Sequence, residues 1–140
     1  MYKRQAQARY LAEASLRANR APRVDMLIHF LVRDEAHVGR WQSGLFTFGN
    51  APKLSAAAFP LPLAELSRRG AVATLWGQVR PGIGRQAYRV RYSRGGAWRW
   101  LGGTRATTSR GFFTLNVRLP RGTSVQLWSR GALGVPLRLR

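Results

Sequence analysis

The chain contains no cysteine, which excludes disulfide bonds and thiolate metal sites. It also lacks a long apolar run. The longest, MLIHFLV at residues 26–32, is far too short to span a bilayer, so no membrane partner is expected. The basic residues at the N-terminus include no apolar core of the kind that a signal peptide needs. A length of 140 residues then allows one ordinary domain, or a small domain with part of another.

Acidic residues are also scarce: the chain has five against 24 basic ones, for a formal net charge of +19. They are Glu13, Asp25, Asp34, Glu35 and Glu65. Beyond residue 65 there are 15 arginines and no carboxylate. This excess allows a phosphate-binding surface, but a GC-rich coding sequence also favours arginine over lysine. The arginines are spread along every segment rather than clustered, which favours the second interpretation.

The first 65 residues combine helical periodicity with one apolar run. Apolar side chains that share one face at steps of three and four predict a helix over residues 5–19, which Pro22 ends; they are Ala6, Tyr10, Leu11, Ala14 and Ala18. The continuous apolar run at 24–32 predicts a strand buried on both faces of a parallel sheet. A long loop follows. Asn50, as N-cap, then predicts a short helix that ends near Phe59. This order is typical of a piece of an α/β fold.

From residue 66 onward the apolar residues alternate with polar ones, and turn signals recur every 8–12 residues. This pattern predicts an all-β sandwich. Its predicted strands cover residues 71–79, 87–92, 97–101, 112–119, 124–129 and 135–140. The alternation also predicts that many arginines decorate the outward face of a sheet.

The few acidic residues do not form a catalytic pair. Two carboxylates about 5 Å apart, or roughly 6.5–9.5 Å apart, are needed to hydrolyse a glycosidic bond. Adjacent residues of a strand point to opposite faces, which separates Asp34 from Glu35. At about 3.3 Å per residue, Asp25 would lie roughly 30 Å from Asp34. His29 and His37 lack partners at metal-ligand spacing, so no metal site is expected. No other cofactor is expected either. Without a catalytic pair of carboxylates, the chain alone is expected to have no enzymatic activity.

Aromatic residues supply the remaining candidates for binding. Trp98 and Trp100 share one face of a short predicted strand, which permits either core packing or an exposed platform for stacking sugars or bases. Trp41 follows the C-terminal end of the predicted parallel strand, where ligands bind in α/β folds. Packing within the loop is the alternative for Trp41.

Several segments together resemble a known architecture. QARYLAEA, VDMLIHFLVRDE, GRWQSGL and APKLSAAAF are similar to the C-terminal end of a (β/α)8 glycoside-hydrolase-like domain of the kind found in secreted actinobacterial proteins. LWGQVRPGIGRQAYRVRYSRGGAWRWLGG is similar to an immunoglobulin or fibronectin type III β-sandwich. The resemblance implies a mixed fold. Residues 1–65 would be the last β/α unit of a TIM barrel, and residues 66–140 an accessory β-sandwich.

The resemblance also implies a function. The catalytic glutamates of that family follow strands four and seven, upstream of anything in this chain. Only Asp34, Trp41 and Gln42 carry over, as wall residues of a sugar-binding cleft. Sequences of that family often have Lys-Pro before the last helix, whereas this chain has Lys53 and Leu54 there. The chain is therefore expected to be a non-catalytic fragment of a secreted protein, with carbohydrate and the missing upstream barrel as partners.

Two further expectations concern the chain as a whole. Having lost its neighbouring strands, MLIHFLV should leave the first 60 residues poorly ordered or sticky, unless they dock on the sandwich. The rival hypothesis is a free-standing arginine-rich β-domain that binds nucleic acid through phosphate contacts and aromatic stacking.

Overall fold

The computed structural model describes the backbone of residues 2–140 and the side chains from Gln5 onward. The fold is mixed, with helical elements first and a mostly antiparallel β region after them. The helices are α1 (Tyr2–Arg20) and α2 (Leu54–Ala58). The strands are β1 (Leu63–Arg69), β2 (Val72–Gln78), β3 (Ala87–Ser93), β4 (Arg99–Trp100), β5 (Arg105–Ala106), β6 (Phe112–Arg118), β7 (Ser124–Ser129), β8 (Ala132–Leu133) and β9 (Leu137–Arg138).

The strands form two antiparallel sheets around one apolar core. One sheet has the order β1-β2-β6, and the other has the order β4-β3-β7-β8, with β5 paired to β3 and β9 to β7. Alternate residues of each long strand point inward, as the period-two pattern requires. Leu75 and Val117 of the first sheet and Val90 and Leu127 of the second belong to the same buried cluster. The predicted mixed fold and its β region are confirmed at this level.

Strand β1 is the main addition to the predicted strands. It begins at Leu63, in the segment whose sequence resembles the barrel, and pairs with β2 along its length. Its sequence LAELSRR has a bulge between Glu65 and Ser67, which shifts the register and breaks the regular alternation. That irregularity explains why the pattern did not predict a strand here.

Helix α1 confirms the predicted helix and packs on the outer face of the three-stranded sheet. Its buried stripe is Ala8, Ala12 and Leu16, spaced four residues apart. Leu16 contacts Ala64 and Trp76 in a second apolar cluster. The indole Nε1 of Trp76 donates a hydrogen bond to Asn19 Oδ1 (3.1 Å). The helix is therefore fixed to the β region by both apolar and polar contacts.

The predicted buried strand at residues 24–32 is wrong. The segment has no strand partner among the described residues, and Met26 and Ile28 are 73% and 78% exposed. None of the backbone N–H groups of residues 25–31 donates a hydrogen bond within the described chain. Leu31 has a left-handed backbone (φ 71°), which interrupts the extended run. A buried parallel strand needs at least one neighbouring strand to pair with its backbone, and the described chain supplies none.

The predicted N-cap at Asn50 is also wrong. Helix α2 begins only at Leu54, with Lys53 as N-cap and no side-chain capping bond. Asn50 instead occupies a turn with φ 65°, a conformation that asparagine tolerates better than most residues. The turn is closed by Thr47, whose Oγ1 accepts a hydrogen bond from the backbone N–H of Ala51 (3.1 Å).

Candidate functional site

The loop between the two helices is organised by a buried ion pair. Lys53 Nζ lies 2.6 Å from Asp34 Oδ1, and both side chains are at least nine-tenths buried. The same carboxylate oxygen accepts a hydrogen bond from the backbone N–H of Gly44 (2.9 Å). Lys53 also donates to the carbonyl of Gln42 (2.9 Å). Asp34 therefore holds three parts of the loop together from the inside.

Trp41 and Gln42, the other residues that the sequence associates with a sugar cleft, lie on the surface of this loop. Trp41 is 63% exposed and contacts the edge of Phe30 (ring centroids 6.0 Å apart). The Gln42 amide donates to the backbone carbonyls of Glu35 and His37. Thus the structure brings Trp41 and Gln42 together at the surface and keeps Asp34 beneath them.

An open depression beside Trp41 is also lined by Glu35, Gly39 and Arg40. Its one carboxylate lies 3.9 Å from the Arg40 guanidinium and both side chains are solvent-accessible, which makes a weak ion pair. Within the described chain, no three His, Asp or Glu side chains cluster closely enough to hold a metal ion. The depression offers an aromatic ring and one charged pair to a ligand.

A second group of aromatic and charged side chains lies on the outer face of the larger sheet. We call it the arginine–tryptophan surface; its members are Arg89, Arg91, Trp98, Trp100, Gln126 and Trp128. Tyr88 and Val90 alternate with the two arginines of β3 and point into the core. Antiparallel register then sets Arg91 beside Trp100 on β4 and Arg89 beside Trp128 on β7.

Each guanidinium on this surface stacks over an indole ring diagonally across the strands. The Arg89 guanidinium carbon lies 4.0 Å from the ring centroid of Trp100, and that of Arg91 lies 4.7 Å from Trp98. The rings of Trp100 and Trp128 meet edge to face, with centroids 6.2 Å apart and planes at 79°. Such cation–π contacts contribute about 0.5–1 kcal/mol each at exposed sites.

A hydrogen-bond relay fixes the position of one of these arginines. Arg91 donates through Nε and a terminal nitrogen to Gln126 Oε1 (2.8 and 2.6 Å). Gln126 in turn donates to the carbonyl of Gly134 (2.6 Å). The Nε of Arg89, by contrast, is buried without a hydrogen-bond partner in the described structure. Arg91 is held on two sides, whereas Arg89 is held by its stacking on Trp100.

The arrangement combines a partly exposed indole with fixed cations. Trp100 is 43% exposed, and no carboxylate in the described part of the chain forms a salt bridge with Arg89 or Arg91. The surface can therefore offer a ring for stacking and guanidinium N–H groups for an oxygen-rich or anionic ligand. The sequence predicted the shared face of Trp98 and Trp100, but not the arginines that stack on them. The alternating arginines of AYRVRY were the signal for those partners.

Comparison of the chain with protein-family models, curated protein sequences and solved structures finds no match. Among the described residues, no helix is long and apolar enough to cross a membrane.

Proposed function

We propose that the chain is a non-catalytic C-terminal part of a secreted glycoside-hydrolase-like protein, and that its β region is an accessory module that contacts carbohydrate. The observation that carries the proposal is the arginine–tryptophan surface. Trp100 provides a partly exposed apolar ring for a sugar face, and Arg89 and Arg91 provide donors for its oxygen atoms. This combination favours a glycan that carries carboxylate or sulfate groups, because guanidinium groups bind such groups through paired hydrogen bonds.

The sheet topology supports an immunoglobulin or fibronectin type III sandwich. In that architecture the first, second and fifth strands share one sheet, and the third, sixth and seventh share the other. Here β1-β2-β6 corresponds to the first set and β3-β7-β9 to the second, with β4 on the free side of β3. Folds of this type carry many unrelated functions, so the ligand is argued from the surface and not from the fold.

The exposed apolar segment 24–32 supports the idea of a missing barrel. Its side chains are suited to burial, yet Ile28 and Val32 are 78% and 68% exposed. The backbone N–H groups of residues 25–31 have no acceptor among the described residues, as those of a strand taken out of its sheet would. Strands supplied by an upstream segment would cover both the side chains and the backbone.

The same surface gives a second candidate function, the binding of nucleic acid. The observation that favours it is the scarcity of compensating acids in the β region. In the described structure, Arg68 with Glu65 is the one salt bridge there. Phosphate contacts by the remaining arginines and base stacking on Trp100 would give affinity that falls steeply with salt concentration.

Calorimetric titration with three probes tests these functions: cellohexaose, an alginate oligosaccharide and single-stranded oligothymidylate. The proposal expects alginate to bind, and expects Trp100→Ala and Arg89→Ala each to weaken it about tenfold, which corresponds to one contact of about 1.4 kcal/mol. Two matched controls, Trp41→Ala and Arg121→Ala, remove an exposed tryptophan and an exposed arginine outside the surface and should leave alginate affinity unchanged.

The outcomes separate the candidates. Tighter binding of oligothymidylate than of alginate, with a steep dependence on salt, would replace the carbohydrate proposal by the nucleic-acid one. Sensitivity to Trp41→Ala and not to Trp100→Ala would move the site to the depression in the loop. Absence of binding to all three probes would leave a purely structural module.

A further inference from the structure

A large cleft lies where α1, α2 and the last strand meet, away from the arginine–tryptophan surface. Its volume is about 780 Å³, within the roughly 300–1,000 Å³ typical of small-molecule sites. The cleft arises because small residues line the facing sides of the two helices. Ala8 and Ala12 of α1 and Ala58 of α2 fill too little space to close the gap above β1 and β9.

The interior of the cleft is apolar. Besides the alanines, its deepest wall consists of buried leucines. These are Leu61, Leu63 and Leu139. Leu54 and Leu137 form its outer walls and are partly accessible to solvent. A wall of this composition favours an alkyl or other aliphatic body over a sugar or a nucleotide, because the latter would leave polar groups unpaired.

The rim of the cleft is cationic. Arg9 comes from α1, and Arg138 and Arg140 come from the last strand and the residues after it. None of the three guanidinium groups forms a salt bridge with a carboxylate of the described residues. The nearby carboxylate of Glu65 is already engaged, because its two oxygens accept hydrogen bonds from Arg68 Nε (2.8 Å) and from the backbone N–H of Arg140 (2.7 Å).

We infer that this cleft binds a free single-chain amphiphile with an anionic head, of the class of a medium-chain carboxylate. The aliphatic chain lies between the alanine faces of the helices and the leucine wall. The carboxylate lies at the rim, where the guanidinium groups of Arg138 and Arg140 replace its water. The inference is independent of the carbohydrate proposal, since it uses a different face and none of the same residues.

Isothermal titration of the full chain with decanoate, below its micelle concentration, tests the inference. Saturable binding of one decanoate per chain is expected. Decyltrimethylammonium has the same chain with a cationic head and should not bind measurably. Arg138→Gln combined with Arg140→Gln should weaken decanoate binding about tenfold or more, because the charged carboxylate would lose its hydrogen bonds from both guanidinium groups. Arg121→Gln, an arginine elsewhere on the surface, is the matched control.

Two blocking variants locate the ligand. Ala6→Trp fills the cleft from α1, and Leu54→Glu places a carboxylate on its partly exposed outer wall. Both should abolish decanoate binding and keep the far-UV circular dichroism of the native chain. Decanoate binding that survives both variants, or equal binding of the two head groups, would overturn the inference. So would binding to anionic vesicles with no binding of free decanoate, since the face would then be a bilayer contact.

Discussion

Lys53 Nζ and Asp34 Oδ1 lie 2.6 Å apart in an interior where each side chain is almost fully removed from water. The two residues are 19 positions apart, and they join the middle of the loop to the residue that precedes α2. Removing charges from water costs several kcal/mol per ion, which their attraction and further hydrogen bonds must offset. Gly44 and Gln42 supply those further bonds. The pair thus sets the shape of the loop rather than adding much to its stability.

This balance predicts a non-additive pair of substitutions. Lys53→Met and Asp34→Leu each leave one buried charge without its partner and should lower the free energy of unfolding by about 3–5 kcal/mol. The double variant Asp34→Leu/Lys53→Met removes both charges and should recover most of that loss. Chemical denaturation of the four proteins measures the cycle. Additive losses in the double variant would show that the two side chains act independently.

Arg80 joins three elements and should be hard to replace. Its guanidinium donates to Ser15 Oγ of α1 (2.8 Å), the Phe59 carbonyl (2.8 Å) and Gln78 Oε1 (2.9 Å). Burial lowers the pKa of Arg80. A lysine ammonium cannot reach three acceptors in one plane. Arg80→Lys should therefore cost about 2–3 kcal/mol of unfolding free energy.

Thermal denaturation of Arg80→Lys, compared with that of Arg69→Lys, measures this predicted loss of unfolding free energy. Arg69 is exposed at the end of β1, so its substitution should change stability little. Faster hydrogen exchange in α1 of the Arg80 variant would show that the helix has lost its attachment. A loss as large in the Arg69 variant would instead point to a general need for arginine.

The sequence predicted those parts of the fold that depend on local periodicity. Alternation in AYRVRY and FFTLNVRL identifies β3 and β6 because one face of each is buried and the other is not. Apolar side chains at steps of three and four identified α1, but the face they predicted is not the buried one: Tyr10 is exposed, and the helix buries Ala8, Ala12 and Leu16. The strand predicted at residues 24–32 is absent, because a continuous apolar run indicates only that burial would be favourable. It does not indicate that a neighbouring strand exists to bury it.

The candidate sites show the same division between local and long-range information. That Trp98 and Trp100 share a face follows from their spacing of two residues. Their contacts with Arg91 and Arg89 depend on the register between β3 and β4, which the sequence does not fix. The burial of Asp34 depends on Lys53, a partner that no short motif connects to it. The apolar cleft arises where distant elements meet, so no single segment contains its pattern.

Two glycines with nearly equal φ allow a test of how closely two backbone segments approach each other at Gly111. Gly111 and Gly131 have φ of 80° and 78°. A Cβ on Gly111 would overlap the carbonyl oxygen of Val79, whereas a Cβ on Gly131 would meet no described atom within 4 Å. Gly131→Ala should cost about 1–2 kcal/mol from the backbone conformation alone. Gly111→Ala should cost more, because two backbones that meet through a hydrogen bond must separate.

Urea denaturation of both variants measures the difference, which we expect to be at least about 1 kcal/mol. The Val79 N–H donates to the Gly111 carbonyl (2.9 Å), so its hydrogen exchange should accelerate in Gly111→Ala only. Equal costs in the two variants would mean that backbone conformation explains both.

Tyr88 should make the β region sensitive to alkaline pH. It is buried against Phe113, with ring centroids 4.0 Å apart. Burial raises the pKa of Tyr88 above its ordinary value of 10.0, partly opposed by the charge of Arg105. Above pH 10 the unfolded chain therefore loses this proton before the folded chain does, and the free energy of unfolding falls. Below pH 10 the tyrosine is neutral in both states and contributes no pH dependence.

Tyr88→Phe removes this titration and keeps the ring. Denaturation from about pH 9 to 11 should show a smaller loss of stability in the variant than in the wild type. Tyr10→Phe, which changes an exposed tyrosine of α1, is the control and should follow the wild type. If the free energy of unfolding falls equally with pH in the wild type and in Tyr88→Phe, groups other than Tyr88 cause the loss of stability at alkaline pH.

The exposed apolar segment should limit solubility. Met26, Ile28, Phe30 and Val32 are between 62% and 78% exposed, and the backbone N–H groups between them donate to no atom of the described residues. An extended, apolar and unpaired run is the usual starting point for association through strand pairing. Ile28→Lys places a charge in the middle of this run without removing a buried contact. It should raise the solubility limit while the free energy of unfolding changes by no more than about 0.5 kcal/mol.

Val38→Lys is the matched control, because Val38 is 85% exposed but stands alone in the loop. Both variants add one positive charge, so any benefit from net charge alone is the same in the two. Static light scattering over a concentration series should show less association for Ile28→Lys than for Val38→Lys. If the two variants scatter equally, net charge and not the segment governs association. The exposure of residues 24–32 would then have no consequence for the isolated chain.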